Sequence, residues 1–444
     1  MIRGAALFVC ACLLIGCGHT GKQQKAGVSG AVNAQKAVGA PNKTATGDDV
    51  TYYIFVKSGR RHFEPQMIDA GETSVHWIFP VPESNSVGTL DEHSNGIVFL
   101  KFGGFMAGPK SKVIAQDFSK EVYGSFDYQF SPNFSDNTIA YCKTRIAVVA
   151  DVKTGEAFHA HCGLSMDDYL RGIRILDPQK NLFVLLKSID EDGASGWKDY
   201  LHIAELKGQK FVDTDWSMKI GETHHISSDV PLSQTWFVHN KNLFVYDHGQ
   251  MLCIDGGKSV SHPFSTLFNG DADNIGKVKD IAIHPKLPFG VIITEGAPMY
   301  NIVVLRWDIA DSKKKQDGVI SLAKELEPLK TLLDDERVRF AYQSFSPDGK
   351  WYVVGCITPE TSDANKSPYF IAIPVISGGT GRQNFLDVSN FVALGQVKNM
   401  ASIAWTSEPT SYVVSDGELL RKWDLNELPN ARVFVMPTES DAER

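Results

Sequence analysis

The chain is poor in the motifs that announce chemistry. Its 444 residues contain no Gly-x-Ser-x-Gly turn, no Cys-x-x-Cys and no Cys-x-x-Cys-His, so hydrolase-type nucleophile, thiol-redox and c-type haem chemistry find no motif support. Positive charge is not in excess either. Against 52 acidic residues stand 44 lysines and arginines, a net charge of −8, whereas a nucleic-acid partner calls for a basic stripe. The apolar run Ala5 to Ile15 falls short of the ~20 residues a membrane-spanning helix needs. Long amphipathic helix patterns are missing. Paired carboxylates such as Asp334-Asp335-Glu336, Asp167-Asp168 and Glu191-Asp192 are sequence neighbours, which suits a solvated loop better than a general acid/base pair.

What the chain has is a repeated strand–turn–strand unit. The clearest is Phe345-Ser346-Pro347-Asp348-Gly349-Lys350-Trp351, running into Tyr352-Val353-Val354-Gly355-Cys356. Proline presets one turn dihedral, glycine takes the positive one, and the β-branched and aromatic run after them reads as a strand. Similar prolines close Phe130-Ser131-Pro132, Leu176-Asp177-Pro178, Asp229-Val230-Pro231 and Ile283-His284-Pro285, with a degenerate Trp405-Thr406-Ser407-Glu408-Pro409 after them. They stand 46 to 62 residues apart, the period of propeller blades or another array. Apolar strands closing on an acidic residue follow, at Ile146 to Asp151, Leu243 to Asp247, Ile302 to Asp308 and Leu419 to Asp424, with Tyr200 to Glu205 a looser case. Each unit reads as one four-stranded blade.

These residues resemble the WD40-like and YVTN-like β-propeller superfamily, and the turn at Phe345 resembles TolB-like blades. Trp307-Asp308 and Trp423-Asp424 match the family's Trp-Asp dipeptide, and Asp151 with Thr154-Gly155 matches its Asp-x-x-Thr-Gly turn; the Gly-His dipeptide is missing from every unit. The resemblance implies an all-β fold, a single β-propeller over residues 50–438. Material around Pro80 makes seven four-stranded blades the expectation, with six or eight as alternatives. The ring is expected to close through an early strand, Thr51 to Val56, or a late one, Ala431 to Val435, because closure removes exposed sheet edges. Residues 439–444 form a short tail.

Ahead of the blades, residues 1–16 read as a secretory signal, and Leu14-Ile15-Gly16-Cys17 resembles a bacterial lipobox. Cys17 is then the lipidated residue. Residues 17–49 are Gly, Lys, Gln, Ala, Asn and Thr with hardly a large apolar side chain, a composition expected to be a disordered tether. Gly18 after the cysteine resembles the outer-membrane sorting pattern. The expected location is the cell envelope, on the periplasmic face of the outer membrane.

Four cysteines follow Cys17, at Cys142, Cys162, Cys253 and Cys356. They are read as small buried hydrophobes in strands, with a disulfide open as the alternative in an oxidising compartment. His159 and His161 alternate on one strand face with Cys162 nearby, a candidate metal-ligand pair. Asn269, Asp271 and Asp273, with Asp280 at the twelfth place, resemble an EF-hand-type calcium loop, departing at Asn274 and Gly276. A solvated acidic loop is the competing reading. His224-His225 is a weaker metal candidate, because adjacent strand residues point to opposite faces. Tryptophans including Trp77, Trp216, Trp236, Trp351 and Trp423 could form a sugar-binding platform, though packing between blades is the commoner use.

Two function classes follow, and fold alone does not choose between them. One is a non-catalytic, lipid-anchored platform for an envelope protein or polymer, with no nucleic acid and no resident cofactor. The other is a propeller enzyme of the lactonase, glycosidase or quinoprotein kind. Its candidate segments at the channel mouth are His159 to His161, His224 to Asp229 and Asn269 to Asp280.

Overall fold

The computed structural model describes residues between Tyr53 and Val435. Residues 1–52, 103–109, 117–132, 224–235, 261–276, 307–318, 322–337, 358–366, 377–384 and 436–444, with some shorter loops, lie outside the described set. Cys17, the lipobox and the tether therefore fall outside it, as do Asn269, Asp271 and Asp273.

Among the described residues the apolar runs form seven four-stranded antiparallel units. Blade one pairs Ile78–Pro80, Ser86–Asp91, Gly96–Lys101 and Lys110–Gln116, and blade two Asn133–Ser135, Thr138–Lys143, Ile146–Asp151 and Ala157–His161. Blade three is built of longer strands, Tyr169–Asp177, Leu182–Ile189, Trp197–Lys207 and Lys210–Thr223. Blade four comprises Trp236–His239, Asn242–Asp247, Gln250–Asp255 and Lys258–Val260, and blade five Lys277–Ile283, Phe289–Glu295, Tyr300–Arg306 and Val319–Ser321. Blade six holds Arg339–Phe345, Trp351–Ile357, Tyr369–Pro374 and Val392–Gln396.

Blade seven is mixed. Ser402–Ser407, Thr410–Ser415 and Leu419–Trp423 come from the end of the chain, and the fourth strand is Gln66–Asp69, in register from Gln66 opposite Lys422 to Asp69 opposite Leu419. The closing strand thus differs from both sequence candidates. Tyr53–Lys57 and Arg432–Val435 pair with each other in parallel, Tyr53 opposite Arg432. With Arg60–Phe63 they extend the outer edge of blade six, where His62 meets Ala393. The reason lies at Phe63. Its side chain is 1% exposed in the core between blades six and seven, and its carbonyl accepts a 2.9 Å hydrogen bond from the Trp423 indole. That anchor delivers the next strand, Gln66–Asp69, to the rim of blade seven.

The second and third strands of the blades are apolar on both faces, as strands covered on both sides must be. Val291 and Ile293 of blade five pack toward blade six, while Ile292 between them packs toward blade four. Val353 and Phe370 of blade six reach Trp405, Tyr412 and Trp423 of blade seven, and Val413 and Leu420 reach Val87 and Leu100 of blade one. Trp236 and Trp423 serve as packing, as propeller tryptophans commonly do. The four cysteines after Cys17 are free thiols; Cys162, Cys253 and Cys356 are buried and Cys142 is partly so.

Candidate functional site at the inner edge of blades five and six

The first strands of neighbouring blades come close to one another, so they form the inner edge of the ring. Two of them are irregular at the same level. In blade five the register slips between Val278 and Asp280, and in blade six between Ala341 and Ser344. Bulges re-aim side chains and cluster near functional sites. In the second bulge Tyr342 takes φ 55°, an outlier for a bulky non-glycine residue.

Asp280 emerges from the first bulge, half-buried, with Oδ1 accepting the Ile281 N–H at 2.8 Å. Burial pushes its carboxyl up to about 6, against a smaller opposing pull from that N–H and from the neighbouring Gln343 side chain. Gln343, in the blade-six bulge, is 9% exposed. Its Oε1 accepts from the Tyr352 hydroxyl at 2.7 Å, which leaves its amide N–H group turned to the Asp280 carboxyl. Burial, and next the Asp280 charge, hold the Tyr352 phenol well above its ordinary value. This carboxyl–amide–phenol row joins the inner strands of blades five and six and holds a carboxyl that titrates near neutral pH.

The next landmark on the same strand is His284. Its Nδ1 accepts two backbone N–H groups, from Lys286 at 3.0 Å and Leu287 at 2.7 Å, which leaves Nε2 as the protonated nitrogen donating to the Gly349 carbonyl at 2.8 Å. Burial lowers its pKa. The ring pins the turn of blade five onto that of blade six. Gly349 stands at φ +77°, and a Cβ there would lie 2.6 Å from His284 Cε1. Only glycine meets both demands.

Blade three carries two further polar clusters. Arg171, Asp199 and Ser188 form a buried row, with Arg171 3.4 Å from Asp199. Lys187, 4% exposed, pairs with Asp213 at 2.8 Å, and Asp213 also faces His202 Nδ1 at 3.3 Å. Burial raises the Asp213 pKa, but hydrogen bonds from His202 and Lys187 outweigh it and hold the carboxyl low.

His159 and His161 do lie on one face of the outer strand of blade two. Ala160 between them and Cys162 beyond them join the core shared with blade three. Cys162 thus turns away from the imidazoles, and burial pushes its thiol up to about 12. The structure does not gather these three as one ligand set. Among the described residues no three His, Cys, Asp or Glu side chains converge to hold a metal ion. His224 and His225 are outside the described residues. Gln343 and the role of His284 escaped the sequence reading, because Asp280 opposite the one and Gly349 opposite the other lie a whole repeat away.

No protein-family model matches the chain, and no curated protein does. Solved structures do. The Neurospora crassa Pan2 WD40 domain is 9% identical over 80% of this chain and 89% of that one, TM-score 0.42. A chain of the mitotic checkpoint complex is 10% identical over 68% and 90%, TM-score 0.32. An acylaminoacyl peptidase in complex with Z-Gly-Gly-Phe-chloromethyl ketone is 11% identical over 82% and 54%, TM-score 0.40. The class of the protein, a seven-bladed β-propeller, stands on its own sheet order and on the closure of blade seven by an early strand.

Proposed function

We propose that the protein is a lipid-anchored propeller of the bacterial cell envelope, held through Cys17 at the periplasmic face of the outer membrane, that binds an envelope protein or polymer without catalysing a reaction. One observation supports the binding reading. The ionisable side chains most bound up in hydrogen bonds serve the framework: His284 is fixed as an acceptor of two N–H groups, Asp213 is consumed by Lys187 and His202, and Asp424 by Lys422 and Ser411. Groups so engaged are not free to exchange protons with a substrate. The anchoring part of the proposal rests on the lipobox and the polar residues after it.

In-cell cross-linking of the tagged protein, followed by mass spectrometry, tests both parts. The expected result is an abundant envelope component cross-linked to the propeller, with the protein in the membrane fraction. Hydrolysis of a lactone or glycoside by the purified protein, lost on Asp280→Asn, would overturn the non-catalytic reading. Cys17→Ala left in the membrane fraction would overturn the anchor.

A further inference from the structure

We propose that the loop leading into blade three, with Met166 and Asp167 at its tip, is a docking surface for a protein segment in which lysine or arginine flanks apolar side chains. The assignment rests on the binding reading above and names the surface and the chemistry of its partner.

Met166 is 77% exposed, the most of any large hydrophobic side chain among the described residues. One apolar side chain in water is ordinary, but this one is held firmly in place. Asp168, 7% exposed, accepts the Ser165 N–H at 2.9 Å and the Ser165 hydroxyl at 2.7 Å through Oδ2, and the Asp190 N–H at 3.0 Å through Oδ1. The Trp197 indole donates to the Asp167 carbonyl at 2.8 Å, and Arg145 Nε, from blade two, donates to the Asp168 carbonyl at 3.3 Å. The tip is thus pinned from blade two, from the end of the second strand of blade three and from the start of its third. Ordering a loop on binding costs about 1–2 kcal/mol per residue in backbone entropy. A loop already fixed presents its anchor without that cost.

The surroundings suit an interface. Trp197 and Tyr169 are half-buried and meet edge to face at 5.6 Å. Tyr169 opens the innermost strand of blade three, so the patch stands at the rim of the inner edge of the ring. Methionine, tryptophan and tyrosine are enriched at interface centres, and methionine adapts to uneven apolar surroundings. Charge then selects the partner. Asp167 is exposed, and its carboxylate meets no donor among the described residues. Glu191, exposed on the neighbouring hairpin, is by contrast taken up by Lys198 and Tyr200. An unneutralised carboxylate beside an apolar knob complements a basic, apolar segment and repels an acidic one.

The test is an array of short immobilised peptides in which a leucine–phenylalanine core is flanked by arginines, by glutamates or by neutral residues. It is probed with the fluorescently labelled full-length protein in detergent. Met166→Ala and Asp167→Asn are run alongside; both positions are exposed, and melting curves confirm that the variants fold. The expected result is retention on the arginine-flanked peptides, weakened by salt and reduced at least tenfold by each variant. No retention, equal retention on neutral or glutamate-flanked peptides, or retention unchanged in the variants would each overturn the proposal. If in-cell cross-linking still recovers an envelope component when these peptides are not retained, the platform reading stands and the assignment of its surface falls.

Discussion

Replacing Asp280 by asparagine should make the protein more stable at neutral pH. In the folded chain burial raises the carboxyl to about 6 from an ordinary 3.8. A carboxyl raised on folding contributes most below its unfolded value, and that contribution is lost as pH climbs through the folded one. The shift is about two pH units at about 1.4 kcal/mol each, so ionising Asp280 costs the native state about 3 kcal/mol above pH 6. Asparagine keeps an oxygen for the Ile281 N–H but weakens that bond, at roughly 1 kcal/mol. The net gain at pH 8 is then about 2 kcal/mol and fades toward pH 4, where the folded carboxyl is protonated and the unfolded one only partly ionised. Urea denaturation of wild type and Asp280→Asn between pH 4 and pH 8 measures this difference directly. His284 works in the opposite sense, its pKa being lowered by burial, so stability that it contributes above its unfolded value is lost on acidification. It is common to both proteins and cancels in the comparison. A variant equally destabilised at pH 4 and pH 8 would refute the reasoning, for it would mean that Asp280 contributes through its hydrogen bond and not through its charge.

Other substitutions probe the framework. Gly349→Ala combines a positive φ with a clash against His284 and should cost about 2–4 kcal/mol in chemical denaturation, beyond what either strain or overpacking usually costs alone. Phe63→Ala empties a fully buried ring site at the closure and should cost about 3–5 kcal/mol, with limited proteolysis now cutting near Gln66. Lys422→Ala leaves the buried Asp424 without its 2.8 Å partner and should cost about 3–5 kcal/mol; equal stability to wild type would show the pair to be dispensable. Cys17→Ala should move the protein from the membrane to the soluble periplasmic fraction.

The blade repeat was legible because its signals are local. The Ser-Pro-Asp-Gly turn forms as read, with the Gly349 N–H donating to the Ser346 carbonyl at 2.9 Å and Gly349 at positive φ. Trp423-Asp424 likewise ends a strand whose tryptophan is buried. The closing strand was not legible. Gln66-Met67-Ile68-Asp69 has one buried residue, Ile68, and an exposed Met67, so its pattern is weaker than that of Thr51 to Val56, which pairs elsewhere. What selects it is the Phe63 anchor against Trp423, a contact between the two ends of the ring. Asp280 drew notice for its place in an acidic spacing; its actual setting depends on Gln343, brought alongside by two bulges that periodicity cannot show.

One rule connects four of the turns, and in blades three, five and six it explains the polar residue that directly precedes the proline. Proline brings no N–H, yet the turn has other N–H groups that need an acceptor. In blade six Ser346 Oγ accepts from Trp351 N–H at 3.0 Å, and in blade seven Thr406 Oγ1 accepts from Ser411 N–H at 3.0 Å. In blade three Asp177 Oδ1 accepts from Gln179 N–H at 3.1 Å, and in blade five His284 Nδ1 serves Lys286 and Leu287. Serine, threonine, aspartate and histidine share little except a short-range acceptor. Ser346→Thr keeps the acceptor, as blade seven does with threonine, and should cost less than Ser346→Ala. Ser346→Ala removes that acceptor and the 2.6 Å bond that Ser346 donates to Asp348, and the side chain is fully buried, so it should cost about 1–3 kcal/mol. Parallel urea titrations of the two variants decide the matter: if alanine were as well tolerated as threonine, the acceptor would be incidental and the polar residue before the proline in blades three, five and six would need another cause.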